Sequence, residues 1–103
     1  MFEAIKRFFQ KEKVDYGQLV KDGAIIIDVR NPGEFKNGHI KGSKNIPLGE
    51  FGHKVKAYTD KDKVYITCCL SGMRSASARS IMKSSGYTNV YNGGGWRGLQ
   101  SKL

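Results

Sequence analysis

Residues 64–75 carry the strongest indication of the fold, and they read Val64-Tyr65-Ile66-Thr67-Cys68-Cys69-Leu70-Ser71-Gly72-Met73-Arg74-Ser75. The first half is an apolar, β-rich run that is typical of a buried strand. The second half is a short polar loop that contains a glycine. After the loop, apolar residues recur at helical spacing until Gly86, which predicts a helix over residues 75–85. A strand, a short loop and a helix in direct succession are typical of an α/β protein.

The rest of the chain alternates in the same way. Residues 24–30 form a second continuous apolar run ending in charge, the pattern of a strand buried on both faces of a parallel sheet. Weaker signals predict short strands at residues 44–46 and 90–91, with a glycine loop over residues 92–95. Asp15 and Gln18 resemble a helix-capping box, and Gly23 would end that helix. The predicted class is therefore α/β with a mostly parallel sheet.

Length and composition exclude several classes of protein. The 103 residues suffice for one domain, and 39% hydrophobic residues suffice for one modest core. No apolar run approaches the roughly 18 residues that span a bilayer, so no membrane association is predicted. The formal net charge is +9. Because the basic residues are scattered and lack interleaved aromatics, they indicate a solvated surface and a small anionic substrate rather than a nucleic-acid partner.

The two cysteines and the N-terminus indicate the cellular compartment. Cys68 and Cys69 are neighbours, so they cannot staple the fold as a disulfide framework does. Residues 1–14 place aromatic and apolar side chains at helical spacing among charges, which predicts an amphipathic helix packed on the domain of residues 15–103, not a signal peptide. We therefore expect a cytoplasmic protein, and nothing in the sequence requires more than a monomer.

The loop of residues 69–75 is the candidate site. It lies between the carboxyl end of a buried strand and the amino end of a helix, where ligands of open α/β sheets bind. Loop amides and the helix N-terminus favour an anion there, and they would lower the pKa of Cys69. Gly72 lets the backbone turn, Arg74 supplies a cation, and Ser71 and Ser75 can donate hydrogen bonds.

Several motifs occur together with this loop. In chain order they are Asp28-Val29-Arg30, Glu34-Phe35, Gly38-His39-Ile40-Lys41-Gly42-Ser43, Asn45-Ile46-Pro47, the loop itself, Gly86-Tyr87, and Asn92-Gly93-Gly94 with Trp96. Over nearly its whole length the chain resembles the single-domain rhodaneses, a family of sulfurtransferases. The resemblance implies a rhodanese-like fold, with a central, mostly parallel five-stranded sheet that is flanked by helices on both faces.

The resemblance also implies a reaction. Cys69 would take a sulfane sulfur from thiosulfate or a polysulfide, become a persulfide, and pass the sulfur to cyanide in vitro or to a thiol or protein in vivo. Cys69 and Arg74 are then the candidate catalytic residues, and Asp28 and Arg30 support them. The candidate substrate-binding residues are Leu70, Ser71, Gly72, Met73 and Ser75. No metal or organic cofactor is required, and the cysteines and histidines lack metal-ligand spacing.

The cysteine pair leaves alternatives open. Counted from Cys69, four residues precede Arg74, as in a rhodanese; counted from Cys68, five do, as in cysteine-dependent phosphatases and arsenate reductases. Cys68 could also resolve a modified Cys69 as a vicinal disulfide, or it could be a core thiol. A further alternative is a persulfide carrier that docks an acidic partner protein through the basic surface around residues 36–63.

Three other residues have structural interpretations, and Leu70 bears on the substrate. His39 is predicted to be a structural hydrogen-bonding residue, and Asp28, at the end of its strand, is predicted to be a loop-bracing carboxylate. Arg30 is expected to pair with Glu34. Many rhodaneses that prefer thiosulfate have a cation directly after the nucleophile, where this chain has Leu70, so we expect weak affinity for thiosulfate.

Overall fold

The structure is a computed structural model, and it describes residues 14–103. The helices are α1 (Tyr16–Lys21), α2 (Pro32–Lys36), α3 (Leu48–Lys54), which continues as a 3-10 turn (Val55–Ala57), α4 (Met73–Ser84) and α5 (Trp96–Gln100). The strands are β1 (Ile25–Asp28), β2 (Lys44–Asn45), β3 (Val64–Cys69) and β4 (Asn89–Gly95). The helix predicted for the N-terminus lies outside the described residues.

All strand pairs in the sheet are parallel, in the order β2-β1-β3-β4. This confirms an α/β protein with a parallel sheet. The predicted count of five strands is wrong for residues 14–103, where the sheet has four. Each of the four β signals in the sequence forms one strand, and no further segment of this part of the chain joins the sheet. Among the same residues, no helix has the length and apolar character needed to cross a bilayer.

Helices cover both faces of the sheet, and each face has its own core. On one face, Phe51 from α3 and Met82 from α4 pack on Ile27 and Tyr65. On the other, Leu99 from α5 packs on Ile26 and Ile66, with residues of α1 at the margin. Neighbouring residues of a strand point to opposite faces, so consecutive side chains of β1 and β3 belong to different cores. This alternation accounts for the continuous apolar runs in the sequence.

Three boundaries near the candidate site differ from the predicted ones. Strand β3 extends to Cys69, and α4 begins at Met73 rather than at residue 75. Strand β4 continues through residues 92–95, which were predicted to be a loop. A Cβ at Gly93 would lie 2.8 Å from a methyl of Leu99, and a Cβ at Gly95 would lie 2.8 Å from the carbonyl oxygen of Leu70. The glycines therefore let α5 and the candidate loop pack directly on β4.

Candidate active site

The candidate site lies at the carboxyl ends of β1 and β3, where the chain connections leave the sheet in opposite directions. From β1 the chain continues to β2 on one side, whereas β3 lies on the other side of β1 and pairs with β4. The loops after β1 and β3 therefore face each other at the carboxyl edge, the position at which open parallel sheets bind ligands. Cys69 is the last residue of β3, and Asp28 is the last residue of β1.

Hydrogen-bond donors surround the sulfur of Cys69. The Gly72 amide donates to Sγ at 2.9 Å, and Ser75 Oγ lies 3.3 Å from it. Cys69 is only 1% exposed. Burial by itself raises the pKa of Cys69, but hydrogen bonds from the Ser75 side chain and from the amides of Ser75, Gly72 and Ser71 outweigh it, so the pKa lies below the ordinary thiol value. The arrangement stabilises a thiolate that is almost completely buried.

Backbone geometry shapes the loop around this sulfur. Gly72 precedes the first residue of α4 and has a φ of 104°, a left-handed conformation that glycine adopts without strain. A Cβ at Gly72 would lie 3.4 Å from the Cα of Gly94, so the loop also runs close to β4. The Thr67 hydroxyl donates to the carbonyl oxygen of Ser75 at 2.8 Å and fixes the first turn of α4 on β3.

Asn92 holds the loop and was not a candidate from the sequence. Its Nδ2 donates to the carbonyl oxygen of Gly72 at 3.1 Å. Its Oδ1 accepts a hydrogen bond from the Ser75 hydroxyl at 2.6 Å and another from the Gly94 amide at 3.0 Å. In the sequence, Asn92 directly precedes three glycines, a pattern that predicts a loop rather than a strand. Only the pairing of β4 with β3 brings this side chain to the site.

Cys68 lies in a different environment from Cys69. It is completely buried, with Ile66 and Leu99, in the core on the opposite face of the sheet. Burial is the main cause that raises the pKa of Cys68 to about 12, and the nearby Asp28 carboxylate adds to it. Cys68 is therefore a protonated core thiol at neutral pH. Both thiols are free.

Arg74 forms an ion pair across the site. Its two terminal nitrogens lie 2.8 and 3.1 Å from the two carboxylate oxygens of Glu34 at the start of α2, and both side chains are about one-third exposed. The hydrogen bond with Arg74 is the main cause that lowers the pKa of Glu34 to about 2. The expected pairing of Arg30 with the Glu34 carboxylate is wrong, because Arg30 reaches only the Glu34 backbone oxygen, at 3.4 Å.

Asp28 and Arg30 pair with each other. Arg30 contacts the Asp28 carboxylate through Nε and one terminal nitrogen, the shorter distance being 2.7 Å, and both residues are buried. The same terminal nitrogen donates to the carbonyl oxygen of Gly38 at 2.7 Å, and the guanidinium lies 4.7 Å from the ring centre of Trp96. The Asp28 carboxylate therefore braces the loop that follows β1.

The remaining candidates lie at the mouth of the site. Leu70 is 61% exposed and Met73 is 80% exposed, so the loop has an apolar rim, and Ser71 is exposed beside them. His39 stacks on Phe35, and its Nδ1 lies 2.7 Å from the carbonyl oxygen of Phe35, a local structural contact. Among residues 14–103, no group of three or more His, Cys, Asp and Glu could hold a metal ion.

Comparison with known proteins identifies relatives of this chain. A family model described as Rhodanese-like domain matches residues 12–102. The protein YqhL of Bacillus subtilis is 38% identical over 69 residues, which cover 67% of this chain and 54% of YqhL. Thiosulfate sulfurtransferase PspE of Escherichia coli is 36% identical over 74 residues, which cover 71% of each chain.

Solved structures agree in fold. A rhodanese with anions from E. coli superposes with a TM-score of 0.69 at 35% identity, and the match covers 74% of this chain and 91% of that one. The match spans only part of some curated relatives: it covers 54% of YqhL and 42% of a second B. subtilis protein.

Proposed function

Because the chain belongs to the family of rhodanese-like domains, we propose that it is a sulfurtransferase in which Cys69 carries a sulfane sulfur as a persulfide. One observation carries the proposal: the buried Sγ of Cys69 receives amide hydrogen bonds at the amino end of α4, and its pKa is lowered. A lowered pKa keeps the attacking thiolate populated near neutral pH. The names of relatives such as PspE and GlpE, both thiosulfate sulfurtransferases, support the same activity.

The reaction has two balanced steps. The Cys69 thiolate attacks the outer sulfur of thiosulfate; a new S–S bond forms, and the old one breaks with its electron pair leaving on sulfite. The product is an anionic persulfide on Cys69. An acceptor such as cyanide then attacks the outer sulfur, a C–S bond forms, and Cys69 leaves as a thiolate while thiocyanate departs. Cys69 returns to its starting thiolate, so the cycle needs no oxidant or reductant besides the donor and the acceptor.

The loop residues have distinct roles in this proposal. Amides of residues 71, 72 and 75 stabilise the charge on sulfur, because they already point at Sγ before the reaction. Ser75 adds its hydroxyl. Arg74 braces the loop through Glu34, and this ion pair compensates the charge by which Arg74 would attract an anionic donor. The exposed side chains of Leu70 and Met73 contact the donor or acceptor as it enters. Asp28 and Arg30 act at a distance, by ordering the neighbouring loop.

The preferred donor is a polysulfide or a persulfide rather than thiosulfate. Thiosulfate is a dianion, whereas the rim of the loop is apolar at Leu70 and Met73. Arg74, the cation of this loop, is already neutralised by both carboxylate oxygens of Glu34. An apolar rim with a compensated charge favours a donor that carries less charge and more apolar surface. Thiosulfate should therefore load Cys69 only at high concentration.

A persulfide carrier is the second candidate function. It would hand its sulfur to one dedicated acidic partner, and the net charge of +9 is consistent with such a partner. Steady turnover with a free acceptor favours the enzyme, whereas a single loading that persists until a partner is added favours the carrier.

We also propose a cytoplasmic location, because the reaction needs a reduced Cys69 and both thiols are free.

The test is intact-protein mass spectrometry after treatment with thiosulfate or with polysulfide. We expect a gain of one sulfur, about 32 Da, that cyanide removes. Cys69→Ser should abolish both the adduct and thiocyanate formation, with a loss of at least about 100-fold. Cys68→Ser is the matched control, since it changes the adjacent thiol, and it should retain a substantial fraction of the activity.

Two outcomes would overturn the proposal. An adduct that survives in Cys69→Ser and disappears in Cys68→Ser would move the nucleophile to Cys68, as in the phosphatase alternative. An absence of adduct from either donor, with both thiols shown to be reduced beforehand, would exclude sulfur transfer under these conditions.

A further inference from the structure

The Ser75 hydroxyl lies close to two hydrogen-bond acceptors, one on Asn92 and one on Cys69. Ser75 Oγ lies 2.6 Å from Asn92 Oδ1 and 3.3 Å from Cys69 Sγ. A serine hydroxyl has one hydrogen to donate, although its oxygen can accept further hydrogen bonds. The position of this hydrogen therefore depends on which way the Asn92 amide faces and on whether Cys69 carries a proton.

Two backbone groups fix the orientation of the Asn92 side chain. The carbonyl oxygen of Gly72 can only accept a hydrogen bond, so the amide atom 3.1 Å from it is the donor Nδ2. The Gly94 amide can only donate, so the atom 3.0 Å from it is the acceptor Oδ1. A flipped amide would break both contacts. It follows that Asn92 presents an acceptor to Ser75, and Ser75 must be the donor in their contact.

The protonation state of Cys69 then decides whether this arrangement is satisfied. In the thiol state, Ser75 donates to Asn92, and the Cys69 S–H donates to Ser75 Oγ. When the thiol loses its proton to solvent, Sγ becomes an anion that needs donors. The Ser75 hydroxyl can turn towards Sγ only by leaving Asn92, which keeps its hydrogen bond from the Gly94 amide.

We infer that Asn92 is a positioning residue that holds the Ser75 hydroxyl hydrogen while Cys69 is a thiol and yields it to Sγ when Cys69 becomes a thiolate. The hydrogen bond that Ser75 gives to the thiolate is partly offset by the loss of its hydrogen bond to Asn92. The thiolate is therefore stabilised less than the distance between Ser75 and Cys69 alone implies. A less stabilised thiolate is a smaller fraction of the protein but a stronger nucleophile towards sulfur. The inference deepens the proposed function, because it assigns a residue that tunes the same nucleophile.

The other ionisable groups near Cys69 do not account for this effect. Cys68 on the same strand is protonated, since burial raises its pKa to about 12. Arg74 on α4 is paired with Glu34 from α2. On β1, Asp28 is paired with Arg30. Asn92 itself carries no charge, so replacing it with a neutral residue changes the hydrogen bonding without changing the charge of the site.

The test is a double-mutant cycle on residues 75 and 92, read out by the pH dependence of iodoacetamide alkylation of Cys69. All four chains carry Cys68→Ser, so that Cys69 is the one thiol whose alkylation is measured. Asn92→Ala in the presence of Ser75 should raise the thiolate fraction of Cys69 below its pKa, taken from the pH profile, by about threefold to tenfold relative to the same change in the Ser75→Ala chain, the equivalent of one net hydrogen bond. Any loosening of the loop appears in both backgrounds and cancels.

Equal effects of Asn92→Ala in the two backgrounds would overturn the inference. If that variant does not fold, Asn92→Asp serves instead, because a carboxylate holds the hydroxyl more tightly. Its alkylation should then slow more in the presence of Ser75 than in the Ser75→Ala chain, and equal slowing would again contradict the inference. The assay uses no sulfur donor, so it remains informative even if sulfur transfer by the protein is disproved.

Discussion

Cys68 and Cys69 are identical in side chain, adjacent in sequence and both buried, yet they differ in hydrogen bonding and in the direction in which their pKa values are shifted. Cys68 points into the core that contains Ile66 and Leu99, where burial raises its pKa to about 12. Cys69 points to the other face, where hydrogen bonds from Ser75 and from loop amides overcome burial and lower its pKa. Burial alone therefore does not predict whether a thiol is inert.

The difference has a simple geometric origin. Successive side chains of a strand alternate between the two faces of the sheet, so two adjacent residues cannot share one environment. Cys69 also ends its strand, and the turn at Gly72 aims amide hydrogens back at it. A thiolate can be stabilised where a chain reverses onto a helix N-terminus, whereas Cys68, one residue earlier, lies within the pairing of β3 with β1.

The largest expected effect is a difference in alkylation between the two thiols. In the single-cysteine variants at pH 7, Cys69 should react at least about a thousandfold faster than Cys68, since the thiolate fraction depends on the pKa. The rate for Cys69 should rise with pH and level off below the ordinary thiol value of 9.0. The rate for Cys68 should rise only as the pH approaches about 12.

The measurement is the rate of iodoacetamide incorporation between pH 6 and 10, followed by mass spectrometry of Cys68→Ser and Cys69→Ser. Circular dichroism at each pH confirms that the chain stays folded, because unfolding would expose both thiols equally. Similar rates in the folded variants would contradict the distinction between the two faces.

A smaller effect is expected where the loop packs on β4. The Cβ introduced by Gly95→Ala would lie 2.8 Å from the carbonyl oxygen of Leu70, so the loop must shift. We expect a loss of about 1–3 kcal/mol in the free energy of unfolding and slower alkylation of Cys69, with no increase for Cys68. Urea denaturation measures the first effect.

Gly98→Ala is the matched control for this change, because no atom lies within 4 Å of its new Cβ and Gly98 is in the short helix α5. It should leave stability unchanged or raise it by up to about 1 kcal/mol. If both variants lose the same stability, the close approach of the loop to β4 is not the cause.

The smallest effect is expected for the ion pair at the rim. Glu34→Gln should lower stability at pH 7 by less than about 1 kcal/mol, because both partners are partly exposed. The pKa of Glu34 is lowered to about 2 from 4.5, so its contribution is complete above pH 4.5 and is lost as the pH falls towards 2. The stability difference between variant and parent should therefore vanish over that range.

The same variant changes the charge that a donor meets. With a neutral glutamine in place of Glu34, Arg74 is free to attract thiosulfate. The KM for thiosulfate should therefore fall several-fold, while the KM for a polysulfide changes less. Steady-state thiocyanate formation with each donor provides the measurement. Glu50→Gln is a control that removes the same unit of negative charge from an exposed ion pair, Glu50 with Lys54, on α3. A fall in KM with the control as well would indicate a general charge effect.

Much of the fold was predictable because its signals are local. The apolar runs at residues 25–28 and 64–69 mark the central strands, and Asp15 accepts the predicted capping hydrogen bond from the Gln18 amide at 3.0 Å. The glycines of β4 were misassigned because glycine disfavours strands in isolation, and only the close packing of α5 and the loop requires it there. The partner of Arg30 was misassigned, and the partner of Arg74 was not predicted, because pairing depends on how two loops meet.

By itself, the sequence determined the class of the fold, the strand–loop–helix unit, the position of Cys69 at the start of that loop, and the membership in a family, because these follow from spacing along the chain. Only the tertiary structure decided which acceptor holds the Ser75 hydroxyl, which carboxylate neutralises Arg74, and what surrounds each thiol. Asn92 is 17 residues from Ser75 and Glu34 is 40 residues from Arg74. Contacts of that separation form only when the parallel strands align, so no local pattern specifies them.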